Sequence, residues 1–228
     1  HNAEVGSSSL PVASFKRSTY MNSLIECVPN VSEGIRPDVI DSLQSEITTV
    51  RGVNLLHSDS SEGANRTVFT FVGSPDVISE AAFRLIKKAS ELIDMRAQKG
   101  AHPRLGSTDV VPFIPLVNSS IEQCVTIAKD LAEKVSTELS IPVFLYEKAA
   151  IIKERSALPD VRRGQYEGLS TREDMPDYIP KKEGPNAGAT IIGARDILIA
   201  FNVSLKKGTD VKLSLIHISE PTRQAEIS

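Results

Sequence analysis

Runs of β-branched residues alternate with longer amphipathic segments from residue 22 to residue 146, and this alternation restricts the fold more than any other feature. The runs predict strands, and the segments between them have the 3.6-residue spacing of helices. The predicted order is strand, helix, two adjacent strands, helix, strand, helix and strand. This order favours an α+β fold whose sheet carries its helices on one face. Residues 23–31 predict a strand that runs into a loop. The other predicted strands are 53–57, 67–72, 108–115 and 141–146, and the helices begin at Pro37, Ser74-Pro75 and Ser120.

The remaining segments of the chain are less regular. Residues 58–66 are polar and rich in turn formers, so they predict a loop. Pro112 and Pro115 within a predicted strand indicate a strand at the edge of the sheet, where proline is tolerated. Residues 147–188 are polar and proline-rich with short helical pieces, and residues 189–205 predict a return to strand.

The composition argues against several classes of function. The chain has 228 residues and a formal net charge of -3, so no excess of positive charge predicts a nucleic-acid partner. No apolar run reaches the roughly 18 residues that a membrane-spanning helix needs. Cys27 and Cys124 lie far apart without metal-site spacing, so we expect two buried thiols and a reducing compartment. The sequence predicts no metal, nucleic-acid or membrane partner.

Both ends of the chain lack the pattern of the middle. Residues 1–20 are Ser-rich and without hydrophobic periodicity, so we interpret them as a disordered leader or targeting remnant. Residues 213–228 resemble the in-frame translation of a sequencing adapter, and His217 within them receives no functional interpretation. We expect a cytoplasmic location, with organelle targeting by residues 1–20 left open.

A turn at residues 100–106 (GAHPRLG) carries the strongest candidate for chemistry. Pro103 biases His102 toward an extended backbone, and the flanking glycines permit close approaches of the chain. A histidine held on such a turn suits general acid or base catalysis, because its ordinary pKa lies near neutrality. The alternative is a loop histidine that only hydrogen-bonds its neighbours.

Seven sequence blocks within residues 21–205 resemble the glutamate formimidoyltransferase family, whose domain also forms the first part of formimidoyltransferase-cyclodeaminase. The blocks are 26–34 (ECVPNVSEG), 65–68 (NRTV), 92–95 (LIDM), 102–106 (HPRLG), 108–115 (TDVVPFIP), 162–168 (RRGQYEG) and 188–202 (GATIIGARDILIAFN). No block is specific alone, whereas seven blocks in the right order are. The resemblance aligns His102 with the family's catalytic histidine.

This resemblance implies two ferredoxin-like α+β subdomains with folate bound between them. The first subdomain would span residues 21–188, and residues 189–212 would begin a second, similar one. The implied reaction transfers a formimino group from N-formimino-L-glutamate to N5 of tetrahydrofolate, in histidine degradation and one-carbon metabolism. Tetrahydrofolate is then a co-substrate, no metal is required, and His102 acts as general acid and base. The resemblance leaves open whether the protein forms a homodimer.

The residue types and the resemblance together indicate further site residues. Asp59 is expected to orient His102 or to face the substrate amidinium, unless it only makes a turn. Asn65 and Arg66 are expected to contact substrate or folate, and Arg104 to bind a carboxylate of a ligand or of the protein itself. The folate-contacting segment of the family corresponds to Ile179, Pro180, Lys181, Lys182, Glu183, Gly184, Pro185, Asn186, Ala187 and Gly188.

The chain departs from the family pattern in two respects. Lys181, Lys182 and Glu183 stand where the family has less charged residues, and the lysines either meet the anionic glutamyl tail of folate or are simply solvated. The resemblance covers the first subdomain and only the beginning of the second, so we expect this chain alone to bind folate weakly and to be inactive. The alternative function is a non-catalytic folate-binding or assembly module.

Overall fold

Seven strands pair into one mixed sheet in the computed structural model, which describes residues 23–182 and 184–198. The strands are β1 (Ile25–Cys27), β2 (Asn30–Val31), β3 (Val53–Ser61), β4 (Arg66–Gly73), β5 (Thr108–Pro115), β6 (Val143–Glu147) and β7 (Thr190–Ala194). β3 and β4 form an antiparallel hairpin at one side of the sheet. β1 and β2 lie between β4 and β5 and are antiparallel to both. β7 lies between β5 and β6, and these three strands are parallel.

Three long amphipathic helices and one short helix accompany the sheet. They are α1 (Pro37–Thr48), α2 (Pro75–Leu92), α3 (Ile121–Leu139) and α4 (Leu158–Val161). Proline occupies the first turn of α1 and of α2, where its missing N–H removes no helical hydrogen bond. Ser120 caps α3, because its hydroxyl accepts a hydrogen bond of 3.3 Å from the backbone N–H of Gln123. α1 packs against α2 and α2 against α3, so the long helices share one face of the sheet.

The main hydrophobic core lies between the long helices and the sheet. Phe69, Phe71 and Phe113 are fully buried there, together with the free thiols of Cys27 and Cys124. Successive strand residues point to opposite faces, so the neighbours of these core residues face the other way. On that second face, residues of β5, β6 and β7 pack with the chain around α4. This smaller core consists of Leu105, Val110, Phe144, Tyr146, Val161, Ala189 and Ile191.

Several sequence predictions are confirmed by these elements. The α+β class and the burial of both cysteines are as expected, and so is the order of strands and helices through residue 146, except that the first predicted strand is divided into β1 and β2. The proline-rich segment after β6 contains α4 and two single-turn helices, Lys153–Arg155 and Leu169–Thr171, as its composition indicates.

Two local predictions are wrong. Residues 58–61 are not a loop, because β3 continues to Ser61 in register with β4. Their polarity reflects an exposed edge strand rather than a turn. The strand that carries Pro112 is not an edge strand, since β5 pairs on both sides. Proline is tolerated there because β1 and β2 are interrupted at Val28 and Pro29, opposite this part of β5.

The predicted boundary of the first subdomain at residue 188 also needs correction. β7 begins two residues later and lies inside the same sheet, between β5 and β6. Without β7, the facing edges of β5 and β6 would leave backbone groups unpaired. Residues 190–194 therefore complete the first sheet and do not begin another.

Other predictions fall outside the described residues. These are the leader at 1–20, Glu183, the strand residues 199–205, the continuation of a second subdomain to 212 and the adapter-like segment 213–228. Within the part of the chain that the structure describes, no helix combines the length and the apolar character of a transmembrane span.

Candidate functional site

The turn that carries His102 is packed against the loop between β3 and β4. The backbone N–H of Ala101 donates to the carbonyl of Gly63 at 3.3 Å. A Cβ at Gly100 would collide with the carbonyl oxygen of Ala64, so glycine is required for this close approach. These contacts hold the turn in place and leave His102 partly buried.

Asn65, a predicted ligand contact, connects three loops through hydrogen bonds. Its φ of 47° lies in the left-handed region, which asparagine tolerates better than most residues. Its Oδ1 accepts from the N–H of Gly34 at 2.9 Å, and its Nδ2 donates to the carbonyl of Lys99 at 2.6 Å. Gln98 donates through Nε2 to the Asn65 carbonyl at 3.2 Å. Both ends of the Asn65 amide are therefore engaged within the protein.

Arg66, the first residue of β4, brings its guanidinium to the imidazole of His102. Nη1 of Arg66 is in hydrogen-bond contact with Nε2 of His102. A guanidinium only donates, so Nε2 accepts and the ring proton of the neutral imidazole lies on Nδ1. The backbone of Pro103 also hydrogen-bonds the ring, and because proline has no N–H its carbonyl must accept. Both ring nitrogens are thus oriented by neighbours.

The surroundings of the imidazole are positively charged. Burial and the guanidiniums of Arg66 and Arg162 lower the pKa of His102 below its ordinary 6.5, and Asp109 opposes them. Burial and Arg162 also lower the pKa of Arg66, while Asp109 and Asp59 raise it. His102 is therefore neutral at pH 7, in the form that can accept a proton.

Arg162 and Asp109 belong to this site although the sequence analysis did not select them as site residues. Asp109 is a buried residue of β5, and its Oδ1 accepts from the N–H of Leu105 at 2.8 Å. Its Oδ2 forms an ion pair with the guanidinium of Arg162, which directly follows α4. Both residues lie within blocks of the family resemblance, and that was the available sequence signal for them.

Arg104 is the centre of a buried hydrogen-bond network beside the turn. Its two terminal nitrogens bind the carboxylate of Glu167 at 2.8 and 2.9 Å. Its Nε donates to Oε1 of Gln98 at 2.7 Å, and its Nη2 donates to the carbonyl of the same residue at 3.2 Å. Gln165 accepts a further bond of 3.3 Å. Every nitrogen of the guanidinium is used, so the carboxylate that Arg104 binds belongs to the protein.

Asp59 lies in β3, opposite Val68 of β4, and is exposed. Among the described residues, no hydrogen bond joins Asp59 to His102. Its charge acts instead on Arg66, whose pKa it raises. The side chain in contact with the imidazole is thus a cation and not the carboxylate that the sequence suggested.

The predicted folate segment is joined to the chain on both sides of His102 by backbone hydrogen bonds. The N–H of Ser107 donates to the carbonyl of Ala187 at 2.7 Å, and the N–H of Met95 donates to the carbonyl of Asn186 at 2.8 Å. Gly188 has a φ of 71° and approaches residues 105–106 too closely for any Cβ. The segment lines an open concavity of about 580 Å³. Its lining residues are Ser140, Pro142, Tyr166, Leu169, Pro180, Lys181, Lys182, Gly184, Pro185, Asn186 and Gly188.

The charged groups around His102 suit an anion. They are the guanidiniums of Arg66 and Arg162 and a single buried carboxylate, that of Asp109. Across residues 23–182 and 184–198, no group of three or more His, Cys, Asp or Glu side chains has the arrangement of a metal site.

Comparison with known proteins identifies the family. Residues 24–195 match the model of the formiminotransferase domain, N-terminal subdomain. The chain is 48% identical to a glutamate formimidoyltransferase of Streptococcus pyogenes serotype M1 over 81% of the chain and 63% of that relative. It is 46% identical to the formimidoyltransferase-cyclodeaminase of Rattus norvegicus, over 81% of the chain and 35% of the relative. A glutamate formimidoyltransferase of Thermoplasma acidophilum is also 46% identical, over 80% of the chain and 62% of the relative.

The matched region includes every strand of the sheet and the whole cluster around His102. The chain spans less than two thirds of the length of these relatives. Because the family model covers most of its residues, the chain belongs to the formiminotransferase family and contains the N-terminal subdomain of that family's transferase domain.

Proposed function

We propose that this chain takes part in the reaction of a glutamate formimidoyltransferase. This reaction transfers a formimino group from N-formimino-L-glutamate to N5 of tetrahydrofolate in histidine degradation. Two of the relatives carry the name of this activity. The observation that carries the proposal is the state of His102, a neutral imidazole oriented at both nitrogens on a packed turn. A positioned base of this kind is what an amine-to-amidine transfer requires.

The reaction joins an amine to an amidine carbon. N5 of tetrahydrofolate attacks the formimino carbon, and the new N–C bond gives a tetrahedral intermediate. The bond from that carbon to the glutamate nitrogen then breaks, so the products are L-glutamate and 5-formiminotetrahydrofolate. One proton leaves N5 and one reaches the departing glutamate nitrogen. A single group that accepts and then returns a proton therefore balances the reaction.

His102 is suited to both proton transfers. Its lowered pKa keeps the imidazole neutral at pH 7, so Nε2 can take the proton from N5. The imidazolium that results stands next to Arg66 and Arg162, which makes it a stronger acid than an ordinary histidine and favours return of the proton. Nε2 accepts from Arg66, so the base becomes available when Arg66 turns to another acceptor.

We further propose that residues 179–188 contact folate. Tyr166 and the prolines of the concavity offer apolar surface to a pterin ring, and the exposed Lys181 and Lys182 suit the anionic glutamyl tail. Calorimetric titration with 5-formyltetrahydrofolate tests this assignment. We expect exchange of both lysines for glutamate to weaken binding, and a pteroate analogue without the tail to bind both proteins equally. Equal affinity of the two proteins for the complete folate would contradict a role for the lysines.

The transfer reaction is tested in a chimaera, because the chain covers only part of its relatives. Residues 24–195 replace the matching region of the Streptococcus pyogenes enzyme, and formation of 5-formiminotetrahydrofolate is measured. We expect the chimaera to transfer the formimino group and His102→Ala to lower turnover by about 10²- to 10⁴-fold. The melting temperature of the variant should stay close to that of its parent.

His57→Ala is the matched control, because His57 is an exposed histidine of β3. Its turnover should remain within a few-fold of the parent chimaera. A His102→Ala variant that is equally active would remove His102 from the mechanism. A folded but inactive chimaera would contradict the proposed reaction for this subdomain and favour the binding-module alternative.

A further inference from the structure

We infer that Arg66 and Arg162 form a carboxylate-binding subsite beside His102, which holds the glutamate part of the formimino donor. The identity of the ligand rests on the proposed function. The subsite itself rests on the charges and hydrogen-bond donors of the described side chains.

The two guanidiniums carry more positive charge than the protein around them neutralises. Asp109 is buried and is ion-paired with Arg162. Asp59 acts on Arg66 from the exposed edge strand β3, where solvent screens its charge. Arg162 disfavours the charged form of Arg66, so the two side chains repel each other. A bound anion would offset this repulsion.

The two side chains also have unused donors. Nε of Arg66 and Nε of Arg162 are buried without a hydrogen-bond partner. Arg66 uses Nη1 on His102, and Arg162 uses Nη2 on Asp109. Among the described residues, the second terminal nitrogen of each guanidinium has no protein acceptor, and neither is one of the buried unpartnered atoms. Each of these partly exposed side chains thus keeps a terminal donor without an acceptor among the described residues, and a carboxylate has two acceptor oxygens for such donors.

The chemistry of the two substrates indicates which one supplies the carboxylate. In N-formimino-L-glutamate, the reacting nitrogen and the α-carboxylate are bonded to the same carbon. In tetrahydrofolate, the reacting N5 belongs to the ring system and lies far from the glutamyl carboxylates. A carboxylate at Arg66 and Arg162 therefore belongs to the donor when its reacting group is at His102. By drawing Arg66 toward itself, the carboxylate also releases Nε2 of His102 to act as the base.

The test uses the 228-residue chain and follows the ring resonances of His102 by NMR, assigned with His102→Ala. Glutarate is the probe for a dicarboxylate without an amine, and glutaramide is its uncharged counterpart. We expect glutarate and L-glutamate to shift the resonances saturably and to raise the pKa of His102, because a carboxylate offsets the two guanidiniums. Glutaramide should have no effect. Sulfate that binds as well as glutarate would indicate an adventitious ion only and overturn the inference.

Arg162→Met should weaken glutarate binding by about tenfold or more, because the fork that meets the carboxylate is lost. Arg163→Met is the matched control, since the Arg163 side chain is 80% exposed and pairs with Asp160 at the surface. Arg162→Lys keeps a charge opposite Asp109 and gives a second variant if the methionine variant fails to fold. Affinity equal to that of the parent in either Arg162 variant would overturn the inference.

Different experimental results would contradict the proposed subsite and the proposed reaction. Saturable glutarate binding together with a folded chimaera that transfers no formimino group would support the subsite and remove the reaction. Transfer by the chimaera with an unchanged KM for the donor in Arg162→Lys would support the reaction and remove the subsite.

Discussion

Two groups of arginines near His102 are partnered in opposite ways. Arg104 is buried, and every nitrogen of its guanidinium is hydrogen-bonded to the protein, with Glu167 as its ionic partner. Arg162 is ion-paired with the buried carboxylate of Asp109, Arg66 only feels the charge of that carboxylate, and both arginines have an Nε without a partner. Unsatisfied buried donors and unbalanced charge are costly and therefore rare in folded chains. The contrast is consistent with a structural role for Arg104 and with the carboxylate subsite that we propose for Arg66 and Arg162.

The strongest test of this contrast removes the carboxylate of Asp109, which pairs with Arg162. Asp109→Asn should lower the free energy of unfolding by about 3 kcal/mol, because the guanidinium of Arg162 loses its buried partner. The same change should lower the pKa of His102 further, since Asp109 is the charge that raises it. Urea denaturation and NMR titration measure the two effects. Unchanged stability would mean that Arg162 finds another partner.

Arg104→Met should lower the free energy of unfolding by less, about 2 kcal/mol, because Glu167 remains half-exposed and is hydrated after the change. The pKa of His102 should be unaffected, since Arg104 is not among the charges that shift it. The melting temperature is expected to fall by about 4–8 °C. If the pKa of His102 moved as well, the two groups of arginines would not be independent.

Glu167→Gln should have a smaller effect that depends on pH. The side-chain hydrogen bonds from Arg104 lower the pKa of Glu167 to about 2, from an ordinary 4.5. The stabilisation is therefore complete above pH 4.5 and is lost as the pH falls toward 2. Because Glu167 is 56% exposed, we expect it to amount to about 1 kcal/mol or less. Denaturation at pH 7 and pH 3 should show a smaller pH dependence in the variant than in the parent.

Arg66→Met should change stability least, within about 0.5 kcal/mol, because the lost contact with His102 is offset by relief of repulsion from Arg162. The pKa of His102 should rise toward 6.5. In the parent, the unfolded histidine binds a proton that the folded one does not, so stability falls as the pH drops below 6.5. That loss should be smaller in the variant. A strong destabilisation at pH 7 would place Arg66 with Arg104 as a structural residue.

Local sequence patterns were sufficient to predict most helices and strands and the constrained turn at residues 100–106. The spacing of apolar residues predicted all three long helices, and the glycines and proline of residues 100–106 predicted a constrained histidine. The extension of β3 was missed because an edge strand is exposed and carries the polar residues of a loop. The sequence does not indicate that β7 belongs to the first sheet, because chain order does not reveal that a late strand enters between two earlier ones.

The partners of the site side chains were not predictable in the same way. Asp109 and Arg162 are 53 residues apart, and Arg104 and Glu167 are 63 apart, so no local periodicity relates them. The type and position of Asn65 suggest a ligand contact, whereas in the structure its amide joins loops that are distant in the chain. Such pairings arise only when the sheet and the segment after β6 have packed, and tertiary geometry decides which polar group meets which.

The position of β7 has a consequence for synthesis on the ribosome. β5 and β6 do not pair with each other among the described residues, so the parallel half of the sheet stays open until residues 190–194 have left the exit tunnel. The β3–β4 hairpin and the helices need only earlier sequence and can form first. Closure depends on contacts of long sequence separation, which slow folding and prolong the exposure of apolar strand edges. A nascent chain that pauses before Thr190 would therefore expose the facing edges of β5 and β6 to pairing with other chains.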